Sequence, residues 1–117
     1  MITKKDLMQE RIVYKPFEYQ QAADYWLQQH QAHWLHTEVP MMSDLADWNS
    51  NLNETEKNII GSILKGFAQT ETVVNDYWSG LVTKWFRKPE VIMMATTFGA
   101  FETIHAEAYS LLNETLG

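Results

Sequence analysis

The feature that most constrains this chain is the run Phe98-Gly-Ala-Phe-Glu102-Thr-Ile-His105-Ala-Glu-Ala-Tyr109, which sets an acid, an imidazole and a phenol inside an apolar stripe. Glu102 and His105 are three apart and Tyr109 lies four further on, so on a helix all three project from nearly one face. Met94, Phe98 and Leu112 continue that face above and below, as a packed helix requires. An unpaired buried charge is expensive. Glu102 therefore needs a compensating partner, and a metal ion is an economical one.

Glu-x-x-His supplies one carboxylate and one imidazole to the same ion, and it is the recurring half-site of dinuclear carboxylate bundles. Alone, the spacing also fits a solvated Glu beside a hydrogen-bonded His. A second anomaly adds weight. The capping box Asn53-Glu-Thr-Glu56 predicts a helix over 53–80, whose apolar stripe runs Ile60, Ile63, Leu64, Phe67, Val74, Tyr77 and Trp78. Glu71 interrupts that stripe where an apolar residue is due, although Gln69, Thr70 and Thr72 around it fit a solvated acid equally well. Pro89-Glu90 starts a third helix after a short connection, and two long helices so joined pack antiparallel. Glu71 then faces Glu102 and His105.

Elsewhere the pattern predicts an extended arm over 1–15 with a short strand at 11–14, a first helix from Pro16 to about Leu35, and a connection over 36–51 pinned by Trp48. His36 and Asp44 fall in that connection, where such groups are usually surface residues. A chain of 117 residues makes one domain. Its net charge of -6, with no basic run beyond Lys4-Lys5, argues against nucleic acid. Cysteine is absent, so any metal must be held by oxygen and nitrogen. No signal-peptide core or membrane-spanning window is present, which predicts a soluble, cytoplasmic chain.

Three stretches together resemble the small, radical-generating subunit of class I ribonucleotide reductase: His33-Trp34 with Glu38-Val39, the run Leu64-Lys-Gly-Phe-Ala-Gln-Thr-Glu71, and above all Glu102-Thr-Ile-His105-Ala-Glu-Ala-Tyr109. The resemblance implies an all-α, ferritin-like helical bundle, here about half of it in three main helices, with residues 1–117 as the N-terminal part of that domain. It implies Glu71 as the first-helix carboxylate ligand, Glu102 as a bridging carboxylate and His105 as a ligand of the same metal as Glu71. Tyr109 matches the tyrosine oxidised to a stable radical, with Phe98, Phe101 and Leu112 as its apolar shield. Trp34 matches the tryptophan on the electron path to the surface.

The implied cofactor is a dinuclear iron or mixed manganese/iron centre, and the implied activity is that of a ribonucleoside-diphosphate reductase small subunit serving a large subunit that makes deoxyribonucleotides. A second Glu-x-x-His and a further carboxylate helix are missing from the sequence. The remaining ligands must come from a complementary C-terminal half or from a second copy, and an exposed apolar face is expected on the isolated chain. Two other readings stand beside this one: a ferritin-like di-metal oxidase that stores no radical, and a non-catalytic helical assembly module in which Glu102 and His105 are a polar pair.

Overall fold

The computed structural model describes residues 6–117; the first part of the expected N-terminal arm, residues 1–5, lies outside them. The chain is all-α: among the described residues no strand forms, and no helix is long and apolar enough to cross a membrane. Helix α1 spans Gln20–Gln31, α2 Leu45–Ser50, α3 Glu54–Asp76, α4 Thr83–Trp85 and α5 Pro89–Leu116. The residues group into two compact units, Met1–His33 with Val74–Phe101, and Trp34–Val73 with Glu102–Gly117.

In the first unit the strand expected at 11–14 is replaced by a loop folded around its own guanidinium. Arg11 donates through Nε to the Val13 carbonyl at 2.8 Å and through Nη2 to that of Tyr14 at 3.1 Å. It also reaches the fully buried Glu90 through both terminal nitrogens, and Glu18 at 2.8 Å. Glu90 Oε1 in turn accepts from the backbone N–H groups of Glu18 and Tyr19 at 3.0 and 3.1 Å. Those bonds satisfy the N–H groups that lie immediately ahead of α1. Helix α1 begins at Gln20, four residues later than the proline suggests, and it ends at Gln31 rather than near Leu35.

The core of this unit is Ala22, Val82, Val91 and Ala95, with Trp78, Phe86 and Met94 packed on it. Gly99 sits where a Cβ would come within 3.1 Å of Asn75 Oδ1 and 3.2 Å of Ser79 Cβ, so its missing side chain lets the segments approach closely. The helix expected to end near Ser79-Gly80 continues instead through a π turn at Tyr77–Val82 into α4. The hydroxyls of Ser79 and Thr83 donate to the carbonyls of Asn75 and Ser79, four residues back in each case. Such bonds compete with the α ladder and favour its local widening.

In the second unit the capping box forms as expected: Glu56 N–H donates to Asn53 Oδ1 and Asn53 N–H to Glu56 Oε2, each at 2.9 Å. Acids in the first turn, Glu54 and Glu56, suit the helix dipole. The connection before it is largely helical. Two 3-10 turns, His36–Glu38 and Met41–Asp44, precede α2, and Met41 and Trp48 are buried. Trp48 does pin the segment.

Helices α3 and α5 pair antiparallel within this unit, Asn113 Nδ2 donating to the Gly61 carbonyl at 3.4 Å and the Phe67 ring meeting that of Tyr109. The inward side of α3 is not its most apolar one. Lys57, Gly61, Leu64, Ala68 and Glu71 are half-buried, whereas Ile60, Ile63 and Phe67 from the expected core stripe are exposed.

Candidate metal centre

Glu71 near the C-terminal end of α3's share of the second unit, and Glu102 and His105 on α5, are brought together by the antiparallel pairing. Both elements are regular helix at these positions, so the donors stand on rigid backbone. Helical spacing on α5 carries Glu102 and His105 to the same side, and His105 Nδ1 lies 3.0 Å from Glu102 Oε2. From α3, Glu71 Oε2 approaches the same nitrogen at 3.7 Å. One donor atom from each residue fits within a sphere where all pairs are closer than 4.8 Å.

Both carboxylate side chains are 17% exposed and the imidazole 37%, so the cluster is half-buried. Burial pushes the Glu71 carboxyl up to about 7, and a hydrogen bond and like charge from Glu102 push in the same direction, against a smaller downward pull from His105. Two acids held together with too little positive charge protonate unless a cation arrives. The donor set therefore fits a divalent ion: two oxygens and a nitrogen, with no thiolate. Two carboxylates and one imidazole are half of the four-carboxylate, two-histidine inventory that dinuclear carboxylate sites use. Among the described residues this is the one group of three or more such side chains close enough to share an ion.

Tyr109 follows one turn beyond His105 and is half-buried, its ring 5.3 Å from that of Phe67 and tilted by 51°. Phe67 rather than Phe98 or Phe101 is the aromatic side chain lying against the phenol. Phe98 is engaged edge-on by Trp78 at 4.9 Å, and Phe101 by His30 at 5.8 Å and His33 at 5.1 Å, all in the first unit. The period of α3 places Phe67 in the core stripe, and nothing in that period distinguishes a core ring from one lying against a phenol.

Trp34 lies beyond the end of α1 rather than on it, and stacks on the His105 ring at 5.8 Å and 20° between planes. It keeps an exposed edge. The chain's other histidines stand apart from the carboxylate pair in their contacts: His30 and His33 pack on Phe101, and His36, in a 3-10 turn, has a buried Nδ1 without a hydrogen-bond partner.

Comparison with known proteins bears on these residues. A family model described as "Ribonucleotide reductase, small chain" matches residues 11–117. The chain is 37% identical over 111 residues to the "Probable ribonucleoside-diphosphate reductase small subunit" of Invertebrate iridescent virus 6, covering 95% of this chain and 31% of that protein. It is 40% identical over 112 residues to the counterpart from Invertebrate iridescent virus 3, covering 94% and 29%. The ribonucleoside-diphosphate reductase small chain of Neurospora crassa is 31% identical over 109 residues, covering 91% and 26%. The chain thus spans about a third or less of the length of these relatives.

Proposed function

The chain belongs to the ribonucleotide reductase small-chain family, and we propose that it is the part of such a subunit that holds one side of a dinuclear metal centre and carries a redox-active tyrosine. Glu71, Glu102 and His105 would hold the metal, Glu102 in the role of the carboxylate that both ions would draw on. Iron alone or manganese with iron suits these donors, because oxygen and nitrogen ligands accept both. In the presence of O2, such a centre supplies a strong one-electron oxidant.

Tyr109 is the residue on this chain that yields the electron, together with the proton on its Oη, and is left as a tyrosyl radical. Its place one turn from His105 sets the phenol within about 6 Å of the ligand along the helix axis. Phe67 lies against one side of the ring. Trp34, stacked on a metal-ligating imidazole and exposed at its edge, conducts electrons between the site and the surface. A large subunit there uses the radical to convert ribonucleotides into deoxyribonucleotides, so the nucleotide never touches this chain. The missing ligands come from a complementary C-terminal half or from a second copy, residues 1–117 being the N-terminal part of one ferritin-like domain. A cytoplasmic location goes with this reading.

The observation that carries the proposal is the convergence of Glu71, Glu102 and His105 from two helices. Its test is to combine the chain with the C-terminal half of a related small subunit, load Fe(II), or Mn(II) with Fe(II), without oxygen, and then admit O2. Electron paramagnetic resonance should show a tyrosyl radical that Tyr109→Phe abolishes while metal content is unchanged. Bound metal without a radical would identify a di-metal oxidase. No bound metal would identify an assembly module.

A further inference from the structure

Helix α1 lacks the groups that usually start a helix. Its N-cap, Tyr19, makes no side-chain cap bond, and its first turn holds no acid. The third helical position is Ala22, which has no carboxylate to reach back as Glu56 does to the Asn53 N–H ahead of α3. Twelve residues make a marginal helix in water without such help. The missing acid comes from elsewhere in the chain. Glu90, in the first turn of α5, accepts through Oε1 from the N–H groups of Glu18 and Tyr19 at 3.0 and 3.1 Å. It takes the place of a capping-box acid and sets a negative charge at the positive end of the α1 dipole.

We propose that the loop over residues 6–19 and helix α1 form one conformational unit that docks on the start of α5 and leaves it as a body, with Glu90 as the cap of α1 supplied from α5 and Arg11 as the latch. Four charges make the contact all-or-none. Arg11 and Glu18 belong to the loop, Lys88 and Glu90 to the start of α5, and the pairs cross between them: Arg11 with Glu90, and Lys88 Nζ with Glu18 at 3.1 Å. Arg11 also holds Glu18 at 2.8 Å. Glu90 and Lys88 are 0% and 2% exposed, so breaking one pair alone strands an uncompensated charge out of water, which costs more than releasing all four into it. Separation leaves one cation and one anion on each side. Neither surface then carries net charge, and the pairs open together.

The same opening withdraws the carboxylate from the N–H groups of Glu18 and Tyr19, and α1 loses its cap in that step. The far end of α1 rests on α5 through ring contacts of His30 and His33 with Phe101, each a weak attachment by itself. Helix α3 differs, because its capping box is built from its own residues, Asn53 and Glu56. One helix starts itself; the other is conditional on a side chain about 70 residues away.

Hydrogen exchange of the full 117-residue chain, resolved by NMR in increasing sub-denaturing urea, reads the unit directly. The amides of Arg11, Glu18 and Tyr19 should join those of α1 on one opening curve, less protected than the centre of α5 by roughly tenfold or more. Glu90→Gln keeps the side chain's size and removes its charge; protection of those loop amides and of α1 should fall together, by roughly tenfold or more, while α3 and α5 stay helical by circular dichroism. Adding Tyr19→Asp, which gives α1 a cap of its own, should restore α1 in that background and leave the Arg11 amide unprotected. Loop and α1 opening on separate curves, or only together with α5, overturns the proposal. So does a Glu90→Gln chain that frees the loop with α1 unchanged, or a double variant whose α1 is no better protected than with Glu90→Gln alone. Should Glu90→Gln unfold throughout, the urea curves of the native chain decide by themselves.

Discussion

Replacing Glu90 by Gln probes the buried ion cluster that ties the N-terminal loop to the start of α5. The Glu90 carboxylate is 0% exposed and accepts four hydrogen bonds, two from the Arg11 guanidinium and one each from the N–H groups of Glu18 and Tyr19. Burial alone would raise its pKa, but these donors outweigh that effect and hold the carboxyl at about 2, below the ordinary 4.5. The difference corresponds to about 3 kcal/mol in favour of the ionised form. Removal of one partner from a buried pair also costs about 3–5 kcal/mol. The two routes agree, so Glu90→Gln should lose about 3 kcal/mol at pH 7, or roughly 10 °C in melting temperature for a chain of this size.

The sign follows from linkage: a carboxyl whose folded pKa is depressed contributes stability that is present above pH 4.5 and disappears as the pH falls toward 2. Urea denaturation followed by circular dichroism, with native chain and variant compared at several pH values between 7 and 3, reads both quantities. The gap between the two proteins should narrow steadily below pH 4.5. A variant within about 0.5 kcal/mol of the native chain at pH 7, the ordinary range of surface changes, or a gap that ignores pH, would refute this account of the cluster.

Other outcomes follow from the candidate site and the caps. Because the Glu71 carboxyl is raised to about 7, cation affinity measured by calorimetry should climb about tenfold per pH unit up to that value and then level off. For the metal-free chain the sign is opposite, since a raised carboxyl favours the folded state at low pH; stability should fall as pH rises from 4.5 through 7, and Glu71→Gln should flatten that fall in chelator. Trp34→Ala removes the ring stacked on His105 and should leave metal content and radical yield intact in the completed subunit while turnover with a large subunit is lost; loss of metal instead would make Trp34 a packing residue. Asn53→Ala deletes the side chain that caps Glu56 N–H and should cost about 1 kcal/mol in the same denaturation assay.

How much of this was legible beforehand depended on how local the cause was. The capping box at Asn53, the helix start at Pro89 and the spacing of Glu102, His105 and Tyr109 each follow from bonds or angles within a few residues, and each stands in the structure where the sequence puts it. The convergence of Glu71 with Glu102 and His105 was also readable, because two long helices with a short connection leave one register for acids near their middles. Family membership was written in the same residues.

Burial behaved differently, because it belongs to two surfaces and a single helix displays one. The stripe Ile60, Ile63, Phe67 has the period of a core face, yet α3 turns the side containing Gly61, Leu64 and Ala68 toward α5. Glu90 reads in the sequence as an ordinary helix-start acid, yet Arg11, 79 residues away, closes over it. The sequence by itself determined the helical class, the caps and the identity of the ligand-type residues, since these rest on short-range geometry and chemistry. Only the tertiary structure decided which side of α3 is left bare beside Glu71 and which ring covers Tyr109, because those depend on how neighbouring helices divide the available apolar surface between them.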